Sequence, residues 1–220
     1  MLVTGFEPFG SHAVNPSEEV AKAVDARVVG DSVVRSVILP VDHARLAGEL
    51  PALLEEHDPA AVLHLGLAEG RPRLSLERVA VNVMDSDLSD NTGRRAAGEP
   101  CVPGGPAGYF STLPLGALLA ALTAEGVPAA ISHTAGTYLC NQAMYTTLHT
   151  QARRGRPTPA GFIHVPLTPS MVAQSGLEQP SMDAALMVRA IEIALPIIAR
   201  PIVALPVVAS PILAEESPVR

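Results

Sequence analysis

Apolar and polar positions along this chain switch between two periods, and the switches outline a fold. Residues 2–6, LVTGF, form a short apolar run of strand type. Asn15, Pro16 and Ser17 then mark a helix start ahead of EEVAKAV. An Asn cap satisfies an exposed backbone donor, and Pro lacks the N–H that a first turn leaves unpaired. Residues 32–40, SVVRSVILP, read as a strand, and residues 43–57 as a helix kinked at Pro51. Residues 61–68, AVLHLGLA, are continuously apolar, as a buried strand is. Residues 73–84, RLSLERVAVNVM, alternate apolar with polar and predict a half-buried strand.

The stretch 85–113 has no period and is rich in Gly, Pro and Asp. A loop of this length inside a compact domain is usually functional or interface-forming. Beyond it, residues 115–126 predict a helix stopped by Gly126, and 129–136 a strand. Residues 138–155 predict a helix whose basic end suits the helix dipole. Residues 161–167 give another strand, and 181–195 a final helix behind Ser181. Strands alternating with helices imply an α/β fold: a single-domain α/β/α sandwich, its mostly parallel twisted sheet covered by helices on both faces. The domain is expected to span 1–195, with 196–220 as an apolar tail.

That tail raises a membrane span, because residues 193–213 are almost wholly apolar. Prolines at 196, 201, 206 and 211, with Arg200 between them, argue against one. They fit an extended strap on apolar surface.

Composition narrows the classes. The chain has 220 residues, 48% hydrophobic and 17% charged, which fits one well-buried core. The formal charge is −7 and no basic face stands out, so nucleic acid is not an expected partner. Two cysteines without CxxC or paired His/Cys spacing make neither a disulfide framework nor a metal site. The start, MLVTGFEPFG, has no basic n-region of a signal peptide, so a cytoplasmic location is expected.

One of the two cysteines, Cys140 in AGTYLCNQAMY, falls in the first turn of a helix that follows a strand. Ligands of open α/β sheets bind at that edge. A thiol there faces the positive end of the helix dipole, which predicts a lowered pKa and a nucleophilic thiolate. Plain packing of a small apolar residue is the competing account. A nucleophilic thiol needs a base, and His164 in GFIHVPL ends an apolar strand at the same edge. His64 in VLHLGL is its rival. A carboxylate to orient the base is offered by Glu77, in an otherwise apolar strand, with Glu69 and Asp85 as alternatives.

The segments ERVAVN (77–82), SHTAGTYLCN (132–141) and GFIHVP (161–166) resemble the signatures of pyrrolidone-carboxylate peptidases, the pyroglutamyl-peptidase I family of cysteine peptidases. VTGFEPFG (3–10), VNPS (14–17), PVDHA, LHLGLAEGR, YFSTLP and SMDAAL match in the same order. The resemblance covers roughly residues 1–195. It implies a triad of Cys140 as nucleophile, His164 as base and Glu77 as orienting acid. The implied substrates are peptides with an N-terminal pyroglutamyl residue, cleaved through a thioester without cofactor or metal. It further implies that Phe6 and Phe9 wall the ring pocket with Leu139 and Met144, that Asn15 bonds the ring amide, and that backbone near Leu67 meets the ring's polar edge. A homodimer or homotetramer is implied too. One departure is DSDLSDN (85–91), where the family pattern DARIPDN puts an arginine at the position of Asp87. A carboxylate there is expected to oppose a developing oxyanion. It keeps open an alternative, a homologue that binds pyroglutamyl peptides weakly or without cleaving them. A nucleoside-phosphorylase-like site is the weakest reading, because GFEPFG lacks both a basic residue and GxGxxG spacing.

Overall fold

The computed structural model describes residues 1–155, 158–176 and 178–200. The chain opens with β1 (Leu2–Phe6), α1 (Pro16–Ala23), β2 (Val28–Val29), β3 (Ser32–Val33) and β4 (Arg35–Leu39). Next come α2 (His43–His57), β5 (Val62–Leu67), β6 (Leu74–Glu77), β7 (Val79–Val81), β8 (Met84–Asp85), β9 (Ala97–Glu99) and β10 (Gly108–Phe110). It closes with α3 (Leu115–Ala124), β11 (Ala129–Ser132), α4 (Leu139–Arg154), β12 (Ala160–Val165), α5 (Pro169–Ser175) and α6 (Ala184–Ile198).

Six strands form the central sheet in the order β11-β6-β12-β5-β1-β4. All neighbours run parallel except β6 and β12, which are antiparallel. Period-2 alternation sends successive side chains to opposite faces. Val3, Leu63, Leu65, Leu76, Ile163 and Val165 join the core under α1, α3 and α6. Leu2, Phe6, Val62 and Phe162 join the core under α2 and α4. The expected three-layer α/β/α sandwich with a mostly parallel sheet is therefore present.

Local chemistry accounts for most boundaries. The Asn15 side chain accepts from Ser17 N–H, and Pro16 begins α1. The Asp42 side chain caps α2, which runs unbroken past Pro51. Gly155, in the left-handed region (φ 64°), stops α4.

Four sequence expectations change. Residues 32–40 are two strands, because 27–34 turn back on themselves and Val34 N–H bonds the Arg27 carbonyl. Residues 73–84 are not one half-buried strand: β6 is buried along its whole length between β11 and β12, and the chain leaves the sheet at Arg78. β7 then pairs with β10 in a separate ribbon, so its alternation belongs to a different surface. The stretch 85–113 carries β8, β9 and β10, strands too short to show a period. The last helix continues through Pro196 to Ile198, past the expected end at 195. The tail from 201 onward lies outside the described residues.

Candidate active site

β12 and β5 pair with His164 opposite Gly66, and Phe162 opposite His64. The side chains of 162 and 164 face α4, since 163 and 165 face the other core. β6 pairs with the other side of β12, Glu77 opposite Phe162 and Ser75 opposite His164. Glu77 is thus the diagonal neighbour of His164 on the same face, within reach of a long side chain. Its Oε1 lies 2.7 Å from His164 Nδ1. Glu77 is fully buried and His164 nearly so.

The thiol arrives from above the sheet. Gly136 (φ 80°) turns the chain from β11 toward α4, and Cys140 stands in that helix's first turn. A Cβ built on Gly66 would lie 2.9 Å from Cys140 Sγ and 2.6 Å from the Phe162 ring. The missing side chain at 66 is the space in which the thiol sits, beside the strand position paired with His164. The residues after the cysteine anchor the helix start. Asn141 Oδ1 accepts from Val81 N–H at 2.9 Å, while its Nδ2 donates to the Val81 and Val83 carbonyls. Gln142 bonds both the ring and the carbonyl of buried His43.

The rival residues have other roles. His64 is fully buried between the hydroxyls of Thr4 (2.7 Å) and Thr147 (2.8 Å), and burial pushes its pKa down to about 3. It is a neutral group enclosed by two hydroxyls. Glu69 pairs with His12 at 2.7 Å. Asp85 is exposed, its backbone tied to Thr137. His149 bonds the Tyr109 hydroxyl.

Electrostatics reverse one expectation. The Cys140 thiol is pushed up, to about 12, by burial first and then by the Glu77 charge. Its own backbone N–H and Arg71 oppose the shift without overcoming it. The helix dipole that predicted a thiolate is thus outweighed by desolvation over the sheet. Burial also lowers the His164 pKa, against the raising effect of its bond to Glu77. Burial thus favours the neutral form of both groups, the Cys140 thiol and the His164 imidazole. Glu77 Oε1, which already accepts from Arg71, accepts from Nδ1 as well, so Nδ1 carries the proton and Nε2 keeps its lone pair.

Phe9 packs on Tyr138, ring centroids 6.1 Å apart, and against a small cluster of Leu67, Leu167 and Met171. Phe6 lies against Phe162 at 6.4 Å and shares an apolar core with Leu139 and Met144, both buried. Asn15 is buried, with Nδ2 donating to the Glu7 carbonyl at 3.0 Å and Oδ1 engaged by Ser17. Beyond Leu67, the Ala68 N–H is taken by the Val165 carbonyl.

Two features escaped the sequence reading. Arg71 Nη1 donates to Glu77 Oε1 at 2.7 Å; its only sequence signal is a cation in the Gly/Pro loop just before the strand that carries Glu77. Gly66 gave none, since a glycine in a strand has many causes. Asp87 does not point at the site: it is fully exposed, paired with Arg95 at 2.8 Å.

A cysteine at a helix start, a histidine at a strand end and a buried glutamate on that histidine give this α/β sandwich the layout of a cysteine peptidase. The family model for pyroglutamyl peptidase matches residues 1–201. The pyrrolidone-carboxylate peptidase of Pyrococcus furiosus is 43% identical over 198 residues, covering 89% of this chain and 95% of that protein. The Thermococcus kodakarensis protein of the same name is 44% identical over 195 residues, 89% and 93% of the two chains. A solved structure of a mutant pyrrolidone carboxyl peptidase from P. furiosus superposes with a TM-score of 0.87 at 43% identity, covering 89% of this chain and 96% of that one. The chain belongs to the pyroglutamyl peptidase family of cysteine peptidases.

Proposed function

We propose that this chain removes an N-terminal pyroglutamyl residue from peptides, with Cys140 as nucleophile, His164 as base and Glu77 as orienting acid. The observation that carries the reading is the thiol seated over Gly66, the strand position paired with His164, whose ring is held by a buried carboxylate. His164 Nε2 takes the thiol proton as sulfur attacks the carbonyl that follows the lactam ring. The Cys140 N–H and its neighbours at the start of α4, where no side chain caps the helix, face the developing oxyanion. The tetrahedral intermediate collapses, the C–N bond breaks, and the imidazolium gives its proton to the leaving amine. Water, deprotonated by His164, then cleaves the thioester and releases pyroglutamate.

Phe9 and Leu67 form the apolar wall of the ring pocket, backed by Phe6, Leu139 and Met144 in the core behind. Asn15 acts by fixing the turn that carries Phe9, through its bonds to Glu7 and Ser17, and by meeting the ring amide. Such a wall disfavours a charged glutamyl group, and polar groups matched to the lactam are left unpaired by proline. The same reading makes the protein a cytoplasmic homodimer or homotetramer. Both cysteines are free, no helix among the described residues is long and apolar enough to cross a membrane, and Val28 and Val33 stand exposed on the β2–β3 hairpin.

The test is hydrolysis of chromogenic pyroglutamyl, prolyl and glutamyl amides, with and without thiol alkylation, alongside sedimentation. Turnover of the pyroglutamyl amide alone, lost on alkylation, is the expected result. Comparable turnover of the prolyl amide refutes the pocket, and activity that survives complete alkylation refutes the nucleophile.

A further inference from the structure

Glu77 is fully buried and hydrogen-bonded through one oxygen only. Oε1 accepts from Arg71 Nη1 and faces His164 Nδ1, each at 2.7 Å, while Oε2 has no partner. With a neutral imidazole as its sole neighbour, a buried carboxylate carries a charge that nothing balances. Arg71 supplies the balancing charge. It comes from the loop between β5 and β6, and its side chain is 34% exposed, so the guanidinium closes the buried cluster from the solvent side.

We propose that Arg71 is a positioning residue for the triad: its guanidinium holds the Glu77 carboxylate aimed at His164, and so holds the imidazole in the Nδ1–H form that leaves Nε2 free to take the thiol proton. The inference rests on the reaction proposed above. The charges acting on His164 are Glu77 and Arg71, and the same two act on Cys140. Tyr138, at the start of α4, is the other titratable group facing Cys140. The remaining charged pair on this loop, Glu69 with His12, bonds to itself. The guanidinium opposes protonation of the imidazole and favours ionisation of the thiol. Removing it therefore lets His164 hold its proton to higher pH.

The experiment compares wild type, Arg71→Gln, Arg71→Lys, Glu77→Gln and the Arg71→Gln/Glu77→Gln double variant. Two readouts are taken: the pH profile of kcat/KM on a pyroglutamyl amide, and the rate at which iodoacetamide alkylates Cys140, followed by peptide mass. Arg71→Gln is expected to lower kcat about ten- to a hundredfold, since a misplacement of a catalytic group by about 1 Å can cost about a hundredfold. KM stays nearly constant, the acid limb moves to higher pH and alkylation at neutral pH slows. Arg71→Lys keeps the charge and restores the limb, though not the full rate, since it lacks the planar fork. If Arg71 acts through Glu77, its removal costs little more once Glu77 is already Gln. That double variant has no bare carboxylate to bury, so it carries the test even where Arg71→Gln fails to fold. An unmoved acid limb with unchanged alkylation in folded Arg71→Gln overturns the inference. So does an equal loss of alkylation rate from Arg71→Gln in the wild-type and Glu77→Gln backgrounds. Absence of wild-type turnover would instead count against the proposed reaction, while the alkylation arm still judges Arg71.

Discussion

Gly66 and Cys140 occupy one space between them: the thiol of the second fills the volume that a side chain on the first would need. Gly66→Ala would set a methyl 2.9 Å from Sγ and 2.6 Å from the Phe162 ring. The sheet cannot yield, so the thiol and its helix turn must. A misplacement near 1 Å costs about a hundredfold in rate. The expected outcome is a folded protein whose kcat falls by that order, checked by steady-state kinetics with circular dichroism as control. Wild-type kcat in a folded Gly66→Ala protein would refute the packing argument.

The two cysteines differ in role. Cys101 is buried, with Sγ 3.6 Å from the Val81 and Val83 carbonyls and its thiol pushed up to about 12 by burial. Cys101→Ser should leave kcat within about twofold, because the partners of that sulfur are the Val81 and Val83 carbonyls and the Asn141 amide, none of them a base. Cys140→Ser should remove activity to the limit of detection. Equal losses would sink the assignment of the nucleophile.

Acid should destabilise the fold through His64. Its folded pKa, about 3, lies below the ordinary value of 6.5. Between those two values the unfolded chain binds a proton that the folded chain refuses. Stability is therefore full above pH 6.5 and lost as pH falls toward 3, by an amount on the order of several kcal/mol. Burial lowers the His164 pKa as well, so it contributes with the same sign. Denaturant unfolding at pH 7, 5 and 4 measures the slope. His64→Gln, less stable at neutral pH, should show a shallower one; an unchanged slope would assign the acid sensitivity elsewhere.

Asp87 should be silent. Its carboxylate stands in solvent with Arg95, so it does not oppose an oxyanion at the start of α4. Asp87→Arg is expected to change kcat by less than about twofold, since exposed pairs contribute little. A gain of tenfold or more would mean that the 85–95 loop closes over the site during turnover.

The proposed triad was only partly legible from local pattern: Cys140 stood out at a strand-to-helix turn, His164 and Glu77 as polar residues in apolar strands, while His64, Glu69 and Asp85 stayed open until the family resemblance chose among them. Strand order was beyond it. That β6 runs against β12 follows from pairings between residues 74–77 and 162–164, and nothing local to either segment encodes the direction. The thiol's protonation was misjudged for a related reason. The helix start is a local feature, whereas the desolvation that outweighs it comes from a sheet assembled out of distant segments. Asp87 misled because family position was taken for spatial position; the side chain turns outward. The helix α5 has no long apolar period to announce it, only Pro169 behind the Thr168 cap.

The sheet also divides the molecule's labour. Glu77, Cys140 and His164 lie on its α4 side, while α1, α3 and α6 pack a separate apolar layer behind it. Substitutions in that rear layer, at Leu118, Ile191 or Leu195, reach the chemistry only through the strands. A lineage adapting to heat or cold can therefore retune melting temperature on one face while the other keeps its catalytic geometry, and drift in the two layers need not be coupled.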